Sequence, residues 1–287
     1  MFPFPREEDV INFELEKNKA YFHLIGLPMS IKSYNKEINT NLMPEAIREC
    51  SNKIYSSLFG NINKAFIIDH DDINFENPNL ELLKEKIDKI NKNYNKKNVF
   101  IFLGGNHLIS YYTIKALKPD LILHFDAHPD VEQGELANYS FLRFLINEGF
   151  KVISIGLCNG SKEEFDFLKL KKIKFFTSLD FYSNKQDIMN YLKDRINKEE
   201  IKSIYITFDT DFLRNNLASY QPEPLGIELF DFLLFFKELI EKSRLAEKIV
   251  GFDLVEYDKT KDINDFSCLM NARLLIETIA IINEKLK

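Results

Sequence analysis

Eight apolar runs of strand length recur along the chain: Tyr21 to Leu27, Ala65 to Asp69, Val99 to Leu103, Leu121 to Asp126, Lys151 to Leu157, Ile173 to Phe176, Ser203 to Asp209 and Ile249 to Glu256. Such runs, short and without strict polar alternation, read as strands buried on both faces, as in parallel sheets. Between them lie stretches with apolar positions at helical spacing, among them Leu80 to Tyr94, Ser140 to Glu148, Asp187 to Lys198 and Phe230 to Ser243, and a last helix begins near Asn264. That spacing gathers apolar side chains on one helical face. The segment FDFLLFFKELI, from Phe230 to Ile240, is apolar nearly all round, which predicts a helix buried between layers. Alternating strands and helices predict an α/β fold, a parallel sheet covered by helices on both sides.

Bulk composition narrows the class. At 287 residues and 45% hydrophobic content, the chain can bury a large core within one domain. The 10 glycines and 9 prolines are scattered, with no internal repeat or linker tract, so residues 1–287 read as a single domain. A net charge of −6, with lysines spread over helical faces, argues against a nucleic-acid partner. The N-terminal MFPFPREEDVINFELEKN lacks a basic start followed by an apolar segment. No other run approaches a membrane span, so neither export nor a membrane partner is expected. Cys50, Cys158 and Cys268 read as three lone, buried cysteines without metal-type pairing. This fits a reducing compartment and predicts a cytoplasmic location.

The polar residues that close the apolar runs carry the chemistry. Asp126, His128 and Asp130 in LHFDAHPD, and Asp209 and Asp211 in ITFDTD, recur at two-residue spacing. In an extended strand, positions i, i+2 and i+4 face the same way, about 6 to 7 Å apart at each step. A third run, Val99 to Leu103, leads through GGNH to His107. Ligands of open α/β sheets bind at the carboxyl ends of strands, where all six residues fall. A single aspartate at a strand end is ordinarily a helix cap or a solubilising loop residue. Six metal-type residues on three strand ends are a different matter. Four carboxylates and two imidazoles exceed the needs of one divalent ion, and the mixed oxygen and nitrogen set suits Mn²⁺ better than a structural zinc. The pattern predicts a two-metal hydrolytic centre, with zinc or another divalent ion also compatible with the ligand types.

GGNH at 104 to 107, DAHPD at 126 to 130, FDTD at 208 to 211 and GFDLVE at 251 to 256 resemble, in order and spacing, the ureohydrolase family of arginases, agmatinases and formimidoylglutamases. IGLPMS at 25 to 30 and MPEAIRE at 43 to 49 resemble that family's first strand and a helix start, with Met43 where glycine is usual. The likeness spans nearly the whole chain. It implies a three-layer α/β/α domain around an eight-stranded, mainly parallel sheet, two Mn²⁺ ions holding a hydroxide, and a homo-oligomer, trimer or hexamer. By position, it implies that Asp126 and Asp209 bridge the metals, that His107 and Asp130 complete one site, and that His128 and Asp211 complete the other. Glu256, in LVEYDK, matches the glutamate that grips the guanidinium. A carboxylate accepts two parallel N–H bonds from that planar cation. Asp126, Asp209 and Glu256 are thereby the expected catalytic residues. Glu223 in PEPLG resembles a loop residue near the mouth, not a reacting group.

Two departures matter for chemistry. Agmatinase-like relatives carry Tyr-Ser-His after the DAHxD loop, the histidine shuttling protons, whereas this chain reads Tyr139, Ser140, Phe141. Proton delivery then falls to water, Tyr139 or metal-bound solvent, and losing one acid-base group costs about 10² to 10⁴ in rate. GGNH also replaces the common GGDH, so Asn106 loses a charge beside the ligand histidine. His124 is expected to support Asp126 from below, and His23 and His70 to be structural. The loop VEQGELANYS offers Glu132 and Glu135 and no basic residue before Arg143, which suits a small guanidino substrate with a second cationic group. The expectation is therefore hydrolysis of agmatine to putrescine and urea, a reaction of polyamine biosynthesis. Arginine, guanidinobutyrate or formiminoglutamate is the alternative substrate, and a metal-binding homologue with little catalysis is the alternative from another class.

Overall fold

The computed structural model describes residue 4 and residues 21–30, 39–62, 65–94 and 97–286. Apart from Phe4, the N-terminal stretch read above for a targeting signal lies outside the described residues. All eight expected strands form: β1 (Tyr21–Gly26), β2 (Phe66–Asp72), β3 (Asn98–Leu103), β4 (Leu121–Phe125), β5 (Val152–Leu157), β6 (Lys174–Thr177), β7 (Ile204–Asp209) and β8 (Ile249–Val255). They make one sheet in the order β2-β1-β3-β8-β7-β4-β5-β6, and every pairing is parallel.

Helices cover both faces. α1 (Met43–Ser51), α6 (Ser178–Ser183), α7 (Lys185–Ile196), α8 (Leu229–Lys242), α9 (Leu245–Lys248) and α10 (Phe266–Lys285) pack on one face, against residues such as Leu123, Ile206 and Leu254. α2 (Leu80–Asn93), α3 (Ile109–Leu117), α4 (Phe141–Asn147) and α5 (Lys162–Leu170) lie on the other, against Phe100, Phe102, Ile122 and Tyr205. Alternate strand residues feed the two cores, as the two-residue period requires. The result is the three-layer α/β/α domain expected, with a sheet that is wholly parallel. α8 lies within the core through Phe232, Leu233, Phe235, Phe236, Leu239 and Ile240, as its apolar sequence predicts, and only Phe230 and Leu234 of its large apolar side chains turn outward.

Two readings of the sequence are corrected here. Cys50 and Cys268 are not lone: they form a disulfide between α1 and α10 across 218 residues of sequence. Both are buried, but pairing so distant leaves no trace in local spacing, and the compartment argument from three unpaired thiols loses its premise. The chain also contains a helix long and apolar enough, by length and composition, to cross a membrane: α10, with mean hydropathy 1.3 over its best window. Of that window, 78% is buried inside the protein, packed on α1 and α8, so its hydropathy is that of a core helix.

Candidate metal centre

The sheet order sets the site. β3, β8, β7 and β4 are consecutive neighbours, and their registers keep Leu103, Leu254, Phe208 and Phe125 level. The residues just beyond them, His107, Glu256, Asp209, Asp211 and Asp126 to Asp130, therefore meet at one carboxyl edge. β3 pairs with β8 instead of with its successor β4, and such breaks in strand order mark the crevice where α/β sheets bind ligands.

Within that crevice all six expected metal ligands converge. His107 Nδ1 lies 3.3 Å from Asp126 Oδ2, 2.9 Å from Asp130 Oδ2 and 3.2 Å from Asp209 Oδ2. His128 Nδ1 lies 3.0 Å from Asp211 Oδ2 and 3.6 Å from Asp126 Oδ1. Asp126 thus turns one oxygen to each imidazole. Backbone N–H groups fix one oxygen in three of the four carboxylates: the His128 N–H donates to Asp126 Oδ1 at 2.6 Å, the Asp211 N–H to Asp209 Oδ1 at 2.9 Å and the Ala127 N–H to Asp211 Oδ1 at 3.2 Å. Asp209 therefore offers Oδ2 to the side of His107. Asp130 takes φ of 51° and Glu256 φ of 67°, left-handed conformations that are costly away from glycine and tend to persist at functional sites.

Electrostatics favour a cation here. Burial, reinforced by neighbouring carboxylates, holds Asp130 and Asp209 well above the usual carboxylate range and pushes Asp211 up to about 7. Burial opposes ionisation of Asp126 too, yet the surrounding imidazoles outweigh it and hold that carboxyl well below its ordinary value. The imidazoles are pulled down by burial but raised further by the acids, so both His107 and His128 end above their ordinary value. Like charges this close cannot all ionise without a counter-ion. Although three oxygens crowd His107 Nδ1, it makes no well-aligned hydrogen bond, and neither does His128 Nε2. Carboxylate oxygens gathered this closely round ring nitrogens have the form of a coordination sphere, and His107, His124, Asp126 and Asp130 form one candidate metal-binding group while Asp126, His128 and Asp211 form another.

Glu256 stands beside them at the end of β8. Its Oε1 accepts the His107 N–H at 2.6 Å and the Asn138 amide at 3.4 Å, while Oε2 is buried without a partner. Burial, with the charge of Asp209 behind it, pushes its carboxyl up to about 8. The GGNH turn permits this arrangement because a Cβ on Gly105 would come within 1.9 Å of the Met29 carbonyl oxygen. Only glycine lets the strand exit pass that backbone, and the Gly105 carbonyl in turn accepts the Glu256 N–H at 2.9 Å.

Supporting residues fall largely where expected. His124 lies beneath the site, with Nε2 2.9 Å from Asp126 Oδ2 and Nδ1 3.1 Å from Ser154 Oγ. His23 and His70 bond each other at 2.9 Å between β1 and β2. Glu223 approaches His128 Nε2 to 3.4 Å and accepts the Asn159 amide. Phe141 is a correction: it does not face the cavity. As the first residue of α4 it is fully buried, its ring centred 4.5 Å from that of His107. Asn138 and Tyr139 line the cavity instead. The sequence reading missed Asn138, and also Ser110, Thr207 and Asp253 below His107. The available signal was polarity inside an apolar run, as in Thr207 of ITFD and Asp253 of GFDLVE.

Residues 20–280 match the sequence profile of the Arginase family. An N(1)-aminopropylagmatine ureohydrolase of Thermococcus kodakarensis is 26% identical over 279 residues, 92% of each chain. An agmatinase of Bacillus subtilis is 32% identical over 220 residues, 71% of each. Among solved structures, the formimidoylglutamase of Bacillus subtilis superposes with a TM-score of 0.78 at 22% identity, over 94% of this chain and 89% of its own, a likeness of fold.

Proposed function

Because this chain belongs to the arginase family of C–N bond hydrolases, we propose that it hydrolyses a guanidino substrate whose tail carries a second cationic group, agmatine first among the candidates. The products would be urea and a diamine, putrescine in the case of agmatine. Glu256 carries this reading: its unpartnered Oε2 lies in a cavity shared with His107, His128, Asp209 and Asp211. A guanidinium has two parallel N–H groups for such a carboxylate, and its charge favours the ionised form that burial alone disfavours. The His107 N–H and the Asn138 amide hold Oε1 in place, so the cation is oriented over the carboxylate cluster.

The six donors suit a pair of Mn²⁺ ions, which His107 and Asp130 would hold on one side, His128 and Asp211 on the other, and Asp126 and Asp209 between them. Such a pair lowers the pKa of water so that a nucleophile is available at neutral pH. Toward solvent the cavity is lined by Glu132 and Glu164, with Tyr139 and Tyr220, and by no lysine or arginine among the described residues. An acidic mouth favours an amine over a carboxylate at the far end of the substrate. The two named relatives, an agmatinase and an aminopropylagmatine ureohydrolase, support the same substrate class.

A second reading, a metal-binding protein with little turnover, draws on one observation. All 5 histidines are engaged in the carboxylate cluster, beneath it or in the distant pair, leaving none to give a proton to the leaving amine. A urea-release screen of the Mn²⁺-loaded protein over agmatine, arginine and guanidinobutyrate, with ammonia or formamide release from formiminoglutamate, decides between them. Fastest turnover of agmatine is expected. Preference for arginine or formiminoglutamate would overturn the tail assignment, and two bound ions without turnover of any compound would select the second reading.

A further inference from the structure

His107 offers Nδ1 to the carboxylates, so its other ring nitrogen must carry the proton if Nδ1 is to hold a cation. Nε2 lies 2.9 Å from Thr207 Oγ1, Thr207 Oγ1 lies 3.2 Å from Ser110 Oγ, and the Ser110 hydroxyl donates to Asp253 Oδ2 at 2.8 Å. All four residues are almost wholly buried. They come together because β7 and β8 pair Thr207 with Asp253 in register, while α3 lays Ser110 across them on the face toward α2 to α5. Each hydroxyl has one proton to give, and a carboxylate has none. The end of the row therefore sets its direction: Asp253 accepts from Ser110, Ser110 accepts from Thr207, and Thr207 accepts from the imidazole Nε2–H.

We propose that Asp253 is a positioning residue for the metal centre, acting through Ser110 and Thr207 to hold His107 in the tautomer whose Nδ1 lone pair faces the ion. The inference rests on the metal-binding reading above. A histidine ligand ordinarily has its second nitrogen fixed by a carboxylate, carbonyl or water; in this chain two hydroxyls are interposed, so the carboxylate acts at a distance. An asparagine at this position would keep the shape of the side chain but lose the second acceptor oxygen and the charge, so the row would no longer be held in one direction: with the amide N–H toward Ser110, Ser110 donates to Thr207 and Thr207 to Nε2, leaving the proton on Nδ1, where it excludes the cation.

Tyr205 supplies the control, since its hydroxyl also donates to Asp253 Oδ2, at 2.7 Å, without belonging to the row. The test is Mn²⁺ titration of the chelated protein, resolving two binding steps, for wild type, Asp253→Asn, Ser110→Ala and Tyr205→Phe, with melting curves of the metal-free forms. Asp253→Asn is expected to weaken one step by about 10- to 100-fold and leave the other near its wild-type value. Tyr205→Phe should leave both unchanged. Wild-type affinity at both steps in Asp253→Asn and Ser110→Ala alike, or an equal loss in Tyr205→Phe, overturns the proposal. If Asp253→Asn does not fold, Ser110→Ala serves in its place: a weakened single step supports the row, and unchanged binding overturns it. A wild type that binds no Mn²⁺ would instead overturn the metal reading, and this inference with it.

Discussion

Asp126 presents its two oxygens to different histidines, which makes it the hinge of the site. Asp126→Ala is therefore expected to abolish binding of both ions, whereas His107→Ala should weaken chiefly one, and metal analysis of dialysed protein checks this. Two ions retained by Asp126→Ala would refute the shared role. Phe141 calls for the opposite expectation from its sequence position. A histidine there would sit in the packed space against His107, not in the cavity, so Phe141→His should lower the melting temperature and leave urea release no faster. The cost is that of burying a polar ring in place of an apolar one, on the order of 1 to 3 kcal/mol. A tenfold gain in turnover would show that the position reaches the substrate after all. The ligands were legible in the sequence because strand alternation makes i, i+2 spacing a statement about direction. The row from Thr207 to Asp253 was not, because it depends on which strands are neighbours.

At the scale of elements, the strands were readable from their apolar runs and the longer helices from their periodicity. Strand order is another matter: the placement of β8 between β3 and β7 brings Glu256 to the site, and that order follows from non-local packing that no local pattern encodes. The same holds for the Cys50–Cys268 link between α1 and α10. Thiol titration of the unfolded, unreduced chain should therefore give one free thiol, Cys158, in place of three. Closing a loop of 218 residues would confer on the order of 5 kcal/mol on the chain-entropy account, so reductant should lower the melting temperature markedly. Three titratable thiols would show the pair reduced.

Stability of the whole molecule should depend on pH in a direction set by the buried acids. In the folded, metal-free chain Asp211 is pushed up to about 7 and Glu256 to about 8, while in the unfolded chain both return to their ordinary values near 4. Between those limits the folded state holds protons that the unfolded state has released. Their contribution is complete below the unfolded pKa and is lost as pH rises through the folded one. Raised His107 and His128 act with the same sign, and Asp126, held low, acts against them. The melting temperature of chelated protein is therefore expected to fall from about pH 5 to about pH 8. Mn²⁺ should restore it most at the upper end, where fewer protons must be displaced for the ion to bind. A chelated protein that grows more stable over that interval would contradict the buried cluster.

The central claim, a two-ion centre that hydrolyses a guanidinium held on Glu256, is tested most directly by following urea release from agmatine as Mn²⁺ is titrated into chelated protein. Turnover should be negligible without metal, rise with the second equivalent and saturate at two ions per chain. Full activity at one equivalent, or urea release that ignores the chelator, would contradict it.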